Sequence, residues 1–250
     1  MNKDNKLDVL VKDLFRLGDY SNWAPPKQTE NIQWFTKQNK KFDDGEAVAK
    51  RLEELIILGA NIEDKIYLIS NVNRVEPVII ALKHGGDPNL PGKNGILPCD
   101  RAIDRGRTKI AEAIINSNKF NFISNLDANV LFLAINNGKY KLATQIAEKK
   151  PELLGSKNSS NNSIIYCLSE YLSKGNKINS KVFSFLDSTL KYYEENNIDI
   201  FVAESKNNKT IANNSIEIAT FITEKQALKL NSLLPKKENN DRKDYSKIKL

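Results

Sequence analysis

The chain has 250 residues, 40% of them hydrophobic and 28% charged, with a mean hydropathy of -0.49. That balance suits one large globular domain or two small ones. It excludes a membrane-spanning helix, which needs about 18 apolar residues in a row, and a disulfide-dense secreted fold, since only Cys99 and Cys167 are present. No apolar run follows the first lysines, so no cleavable secretory leader is expected and the chain reads as cytoplasmic.

The formal net charge is +7, yet no block of like charges reaches five. Residues 1–62 carry ten charges of each sign, and the excess is spread thinly over the rest. Asparagine occurs 31 times and lysine is also abundant, the mark of an AT-rich coding sequence. The basic character is therefore discounted, and nucleic-acid binding through a charged groove is disfavoured.

Lys6–Leu17 places Leu7, Val9, Leu10, Val11, Leu14 and Phe15 in an amphipathic helical pattern. Pro25-Pro26 closes that segment. Asn31–Phe42 predicts a short helix. Asp43-Asp44 then put carboxylates at the start of a strong helix carrying Val48, Leu52, Leu55 and Ile56, which stops at Gly59.

From there the chain repeats. Asp64–Asn89, Leu97–Asn121 and Asn129–Glu152 each hold a short apolar helix, a turn at Asn73, Gly106 or Gly138, and a second apolar helix. Asp64 to Leu97 is 33 residues and Leu97 to Asn129 is 32. Leu97-Pro98-Cys99-Asp100-Arg101-Ala102-Ile103 opens one unit, and Gly85-Gly86-Asp87-Pro88-Asn89 and Gly59-Ala60-Asn61-Ile62 end others. This resembles the ankyrin repeat, with its unit of about 33 residues, T-P-L-H-x-A-A opening and G-A-D-x-N ending. Asp100 replaces the usual histidine, and the third unit lacks the proline.

The resemblance implies an all-α, helix-turn-helix solenoid with degenerate terminal repeats. Residues 1–30 would form an N-terminal cap and 31–154 the repeats. Residues 155–234 would form degenerate C-terminal helices, and 235–250 a charged flexible tail. Ser163–Leu168 and Val182–Tyr193 would pair, with Ser169–Ser180 as an insertion and Asn197-Ile198-Asp199-Ile200 as a worn ending. Thr210–Leu234 would be a last helical pair. Stacking follows from physics, because a lone helix pair cannot cover the apolar faces of both its helices.

Function is read from what is present. There is one histidine, His84, too few for a histidine metal site. Cys99 and Cys167 sit among apolar neighbours and read as core. Carboxylates such as Glu53-Glu54 are adjacent, so they diverge on a helix rather than converge on a substrate. No G-x-G-x-x-G, phosphate loop, G-x-S-x-G or H-E-x-x-H occurs. The expectation is a non-catalytic protein-protein interaction scaffold, monomeric, with no cofactor, no metal and another protein as partner.

By the resemblance, Arg101, Asp104 and Arg105 face a concave groove. Their counterparts are Leu68, Asn71 and Val72 before them and Leu133, Asn136 and Asn137 after. Asn89, Lys93 and Asn94 lie on a finger stiffened by Pro88 and Pro91. With Arg107 beside the turn, the candidate partner-binding set is Asn71, Asn89, Lys93, Asn94, Arg101, Asp104, Arg105, Arg107, Asn136 and Asn137. Its arginines fit binding hot spots and equally fit a solvated charged face. Phe120, Phe122 and Phe132 are expected to complete the core. Two alternatives stay open: a small enzyme in the C-terminal helical region 155–234, or a nucleic-acid or acidic-surface binder using Arg101, Arg105, Arg107, Lys109 and the tail. Divergent asparagine- and lysine-rich ankyrin proteins resemble those that intracellular microbes direct into host cells, so a host-directed effector role is a further expectation.

Overall fold

A computed structural model describes residues 3–17, 30–38, 40–41, 44–92, 94–174, 179–198, 218 and 220–224. Pro25-Pro26, Lys93, the tail 235–250 and most of Thr210–Leu234 lie outside the described residues. Among those described there is no strand. The helices are α1 (Lys3–Leu17), α2 (Glu30–Lys37), α3 (Gly45–Ile57), α4 (Ile66–Ser70), α5 (Glu76–Lys83) and α6 (Pro98–Asp104). They continue as α7 (Thr108–Ile115), α8 (Val130–Asn136), α9 (Tyr140–Lys149), α10 (Ile164–Ser173) and α11 (Ser180–Glu195). A 3-10 turn, η1 (Pro151–Gly155), follows α9.

Local chemistry sets most boundaries. Asp44 caps α3 by accepting from the amide of Ala47. Asn129 caps α8 by accepting from Leu131 and Phe132, Ser163 caps α10 through Tyr166, and Asn179 caps α11. Pro98 opens α6, where its missing N–H costs nothing. The helix ends share one device. Gly106 donates to the carbonyl of Ile103 and Arg107 to that of Ala102, and Gly138 and Lys139 do the same with Ile135 and Ala134. Gly106 and Gly138 take φ of 68° and 65°, the left-handed conformation this closure requires. Asn197 reaches φ 55° after α11, with Ile198 donating to Tyr193, so the worn ending closes its helix as the glycines do.

The helices stack in chain order in two rows. The first helices pack α4 on α6, α6 on α8 and α8 on α10. The second helices pack α3 on α5, α5 on α7, α7 on α9 and α9 on α11. The core runs unbroken between the rows. Its middle holds Ile110, Ala111, Ile114 and Ile115 of α7 and all of α8 from Val130 to Ile135, each buried. A buried Leu or Ile stabilises by about 1.5–3 kcal/mol, so each unit's apolar faces are covered only by its neighbours. Phe120, Phe122 and Phe132 are buried, with the rings of Phe120 and Phe122 5.0 Å apart. Tyr140 joins the last units, its ring 5.6 Å from Tyr171 and 6.4 Å from Phe185.

Two features depart from simple repetition. First, α1 packs against α2, α3 and α4. The buried Lys65, just before α4, pairs with Asp8 of α1 at 2.9 Å and with Asp64. Burial opposes the Lys65 charge, but Asp64 and Asp8 outweigh it and raise its pKa. Second, Val72 donates to Ile69 as Gly106 donates to Ile103. Val72 is buried in the turn instead of lining a groove.

Candidate functional site

The exposed edge of the first-helix row is built from residues at the helix ends. Along α6, Pro98, Cys99, Asp100, Ala102 and Ile103 are buried, leaving Arg101 half-buried and Asp104 and Arg105 exposed on one side. Asn71 ends α4 and is half-buried, while Asn136 is exposed and Asn137 half-buried at the end of α8. Glu170 and Tyr171 on α10, with Lys174 just past its end, continue the row beside Asn136. The row therefore brings together Asn71, Arg101, Asp104, Arg105, Asn136 and Asn137.

Their partners differ. Arg105 Nε lies 4.0 Å from Asp104 Oδ2, with both side chains about half exposed. Asn136 donates to Asp127 at 2.7 Å. Asn137 donates back to the carbonyl of Leu133 at 2.9 Å. Arg101 Nε is buried, and among the described residues it meets no acceptor.

Other candidate residues are engaged within the chain. Arg107 donates to the carbonyl of Ser70 at 2.8 Å, covering the end of α4. Asn89 donates to the carbonyl of Lys119 at 2.7 Å and accepts from the amide of Asn121 at 3.0 Å. It thus fastens one finger to the next. Asn94, at the finger tip, accepts from the hydroxyl of Tyr67 at 3.1 Å. Lys93 lies outside the described residues. Lys109 stands on α7 in the second-helix row. Of the basic set, Arg101 lies on α6, Arg105 and Arg107 flank the turn after it, and Lys109 lies on α7.

Asp100 is a structural acid that sequence reasoning noted only as an oddity. It is fully buried, and its Oδ2 accepts from the amide of Asn125 at 2.7 Å. Asn125 also donates to the carbonyl of Gly95 at 2.6 Å, so the finger at 123–128 sits directly over the start of α6. Burial pushes the Asp100 carboxyl above its ordinary value despite hydrogen bonds from Asn125, Ser124 and Leu126, and Asp127 adds to the rise. The fingers expose Leu90, Ile123 and Leu126.

The groups that could carry chemistry lie apart. His84 ends α5, 3.3 Å from Glu53 of α3. Burial, and then Asp100, push the Cys99 thiol well up, which makes it a poor nucleophile. Cys167 is buried, and its sulfur accepts from Asn158 at 3.4 Å. Among the described residues, no three His, Cys, Asp or Glu side chains converge as a metal site would require. No described helix is long and apolar enough to cross a membrane.

Paired helices stacked in two rows, closed by turn glycines and joined by fingers, define an ankyrin-repeat solenoid. Solved structures agree. The ankyrin repeat protein EF0377 superposes with a TM-score of 0.52 at 16% identity, over 81% of this chain and 98% of its own. An ankyrin repeat domain from Acinetobacter baumannii gives 0.55 at 14% identity, over 75% and 96%. The ankyrin repeat domain of Bcl-3, a member of the IkappaB family, gives 0.55 at 10% identity, over 89% and 100%. No family model matches the chain, and no curated protein is similar to it in sequence. The likeness thus resides in the fold.

Proposed function

We propose that the protein is a non-catalytic scaffold that binds another protein along the edge of its first helices and the fingers beside them. One observation carries this reading. Four stacked first helices, α4, α6, α8 and α10, hold polar side chains in a single row whose backbone is fixed by closed turns and by side-chain bonds between units. Such a surface loses little conformational entropy on association, so side-chain complementarity translates directly into affinity. The candidate contact set is Asn71, Arg101, Asp104, Arg105, Asn136 and Asn137 with the finger residue Asn94. Arg107 and Asn89 support it by holding adjacent units together.

The test is affinity capture with quantitative mass spectrometry, comparing wild type with Arg105→Glu/Asn136→Arg and with Lys83→Glu/Lys109→Glu on the second-helix row. Partners should be lost with the first variant and kept with the second. Identical capture by all three would refute the assignment of the face.

A further inference from the structure

We propose that the first-helix face takes a partner segment in which an aspartate or glutamate side chain pairs with Arg101 and a neighbouring apolar side chain rests on the fingers. This rests on the scaffold reading above and names the chemistry of its partner. Arginine carries five N–H donors and no acceptor. Arg101 lies half-buried with its Nε shielded from water, and among the described residues its side chain has no hydrogen bond and no ion pair. A buried donor left unmatched is costly, and more so when charged. A carboxylate matches the fork in two parallel bonds.

The surroundings favour an anion. Arg105 stands one helical turn on, holding Asp104 only at 4.0 Å. The ammonium of Lys139 lies within 3.7 Å of where a Cβ on Gly106 would stand, and among the described residues it has no ion pair. Arg101 and Arg105 of this unit, with Lys139 at its turn, thus outnumber Asp104, the exposed carboxylate on α6. Asp127, the next acid along, is occupied by Asn136. Asp100, beside Arg101 in sequence, is turned inward onto Asn125. That same bond sets the finger carrying the exposed Ile123 and Leu126 over the start of α6, at the residue preceding Arg101. The chemistry displayed is thus a guanidinium on the helix whose start lies under a finger with exposed apolar side chains.

The experiment pans the full chain against random linear 12-residue peptides on phage, then measures the enriched peptides by fluorescence anisotropy. Enriched sequences should contain an acid with an apolar neighbour. Arg101→Gln should weaken binding at least tenfold, and changing the peptide's acid to its amide should cause the same loss. The two changes together should cost little more than either alone. Arg101→Lys should recover only part of the affinity, because it restores charge without the fork. Lys83→Gln should change nothing. Should Arg101→Gln melt early in circular dichroism, Arg105→Gln and Lys139→Gln serve in its place, each with a smaller loss.

Acid-free peptides that Asn136→Arg displaces would overturn the acidic-segment inference and leave the scaffold face standing. Peptides indifferent to every first-helix substitution would overturn both. Absence of any enriched peptide, or tighter Arg101-dependent binding of a labelled single-stranded oligonucleotide, would overturn the inference as well.

Discussion

Ile114 offers the most direct test of linear stacking. It is fully buried on α7, which packs on α5, α6 and α9. Ile114→Ala removes three carbon groups from the core, a loss of about 2.4 kcal/mol at roughly 0.8 kcal/mol per methylene. The cavity left behind adds at about 24 cal/mol per Å³ of residual volume, bringing the expected cost to about 3–4 kcal/mol. Urea titration followed by circular dichroism measures it. The stronger discriminator is a pair of double-mutant cycles. Ile146 lies on α9, directly against α7, and should couple to Ile114 by about 0.5 kcal/mol or more. Leu14 lies on α1, at the far end of the row, and Leu14→Ala should add to Ile114→Ala within about 0.5 kcal/mol. Equal coupling to both partners, or a loss under about 1 kcal/mol for Ile114→Ala alone, would refute a solenoid held together by nearest neighbours.

Three further outcomes follow from particular contacts. Gly59→Ala meets open space but must hold φ at 104°, so it should cost about 1–2 kcal/mol. Gly138→Ala should cost more in the same thermal melts, because its Cβ would also meet the hydroxyl of Tyr171. Asp100 titrates above the ordinary carboxyl value of 3.8, so the folded chain keeps a proton that the unfolded chain has released. Its contribution is therefore fully present below that value and lost as pH rises through the raised folded pKa. Asp100→Asn should remove this fall from a stability-against-pH profile, and an unchanged slope would contradict the assignment. Arg107→Ala uncovers the Ser70 carbonyl and should cost about 1–2 kcal/mol, whereas the exposed Arg105→Ala should stay within about 0.5 kcal/mol in urea titration.

The local elements were legible because their causes are local. Apolar spacing, Asp44 and Asn129 as caps, Pro98 at a helix start and the glycines at helix ends all act within a few residues of one another. Spacing of about 33 residues then announced the stack. The α2 boundary was read too long, to Phe42 rather than Lys37, because no glycine or proline between them marks the helix end. Val72 was placed on the groove because repeat position fixes where a residue falls along the unit, whereas its burial depends on the neighbours packed against it.

For the candidate site, sequence located the row but not the use of each residue in it. Arg101, Arg105 and Arg107 look alike on the page, yet one lacks a partner among the described residues, one lies open beside Asp104, and one is bound to Ser70. Nor does the sequence reveal that Asp100 grips the next finger, or that α1 is tied to the start of α4 through Asp8 and Lys65. Periodicity and turn chemistry are properties of neighbouring residues, and the amino-acid order settles them. Whether a polar side chain meets a carbonyl 37 residues away, or meets nothing, depends on the distance between stacked units, and that exists only in the folded chain.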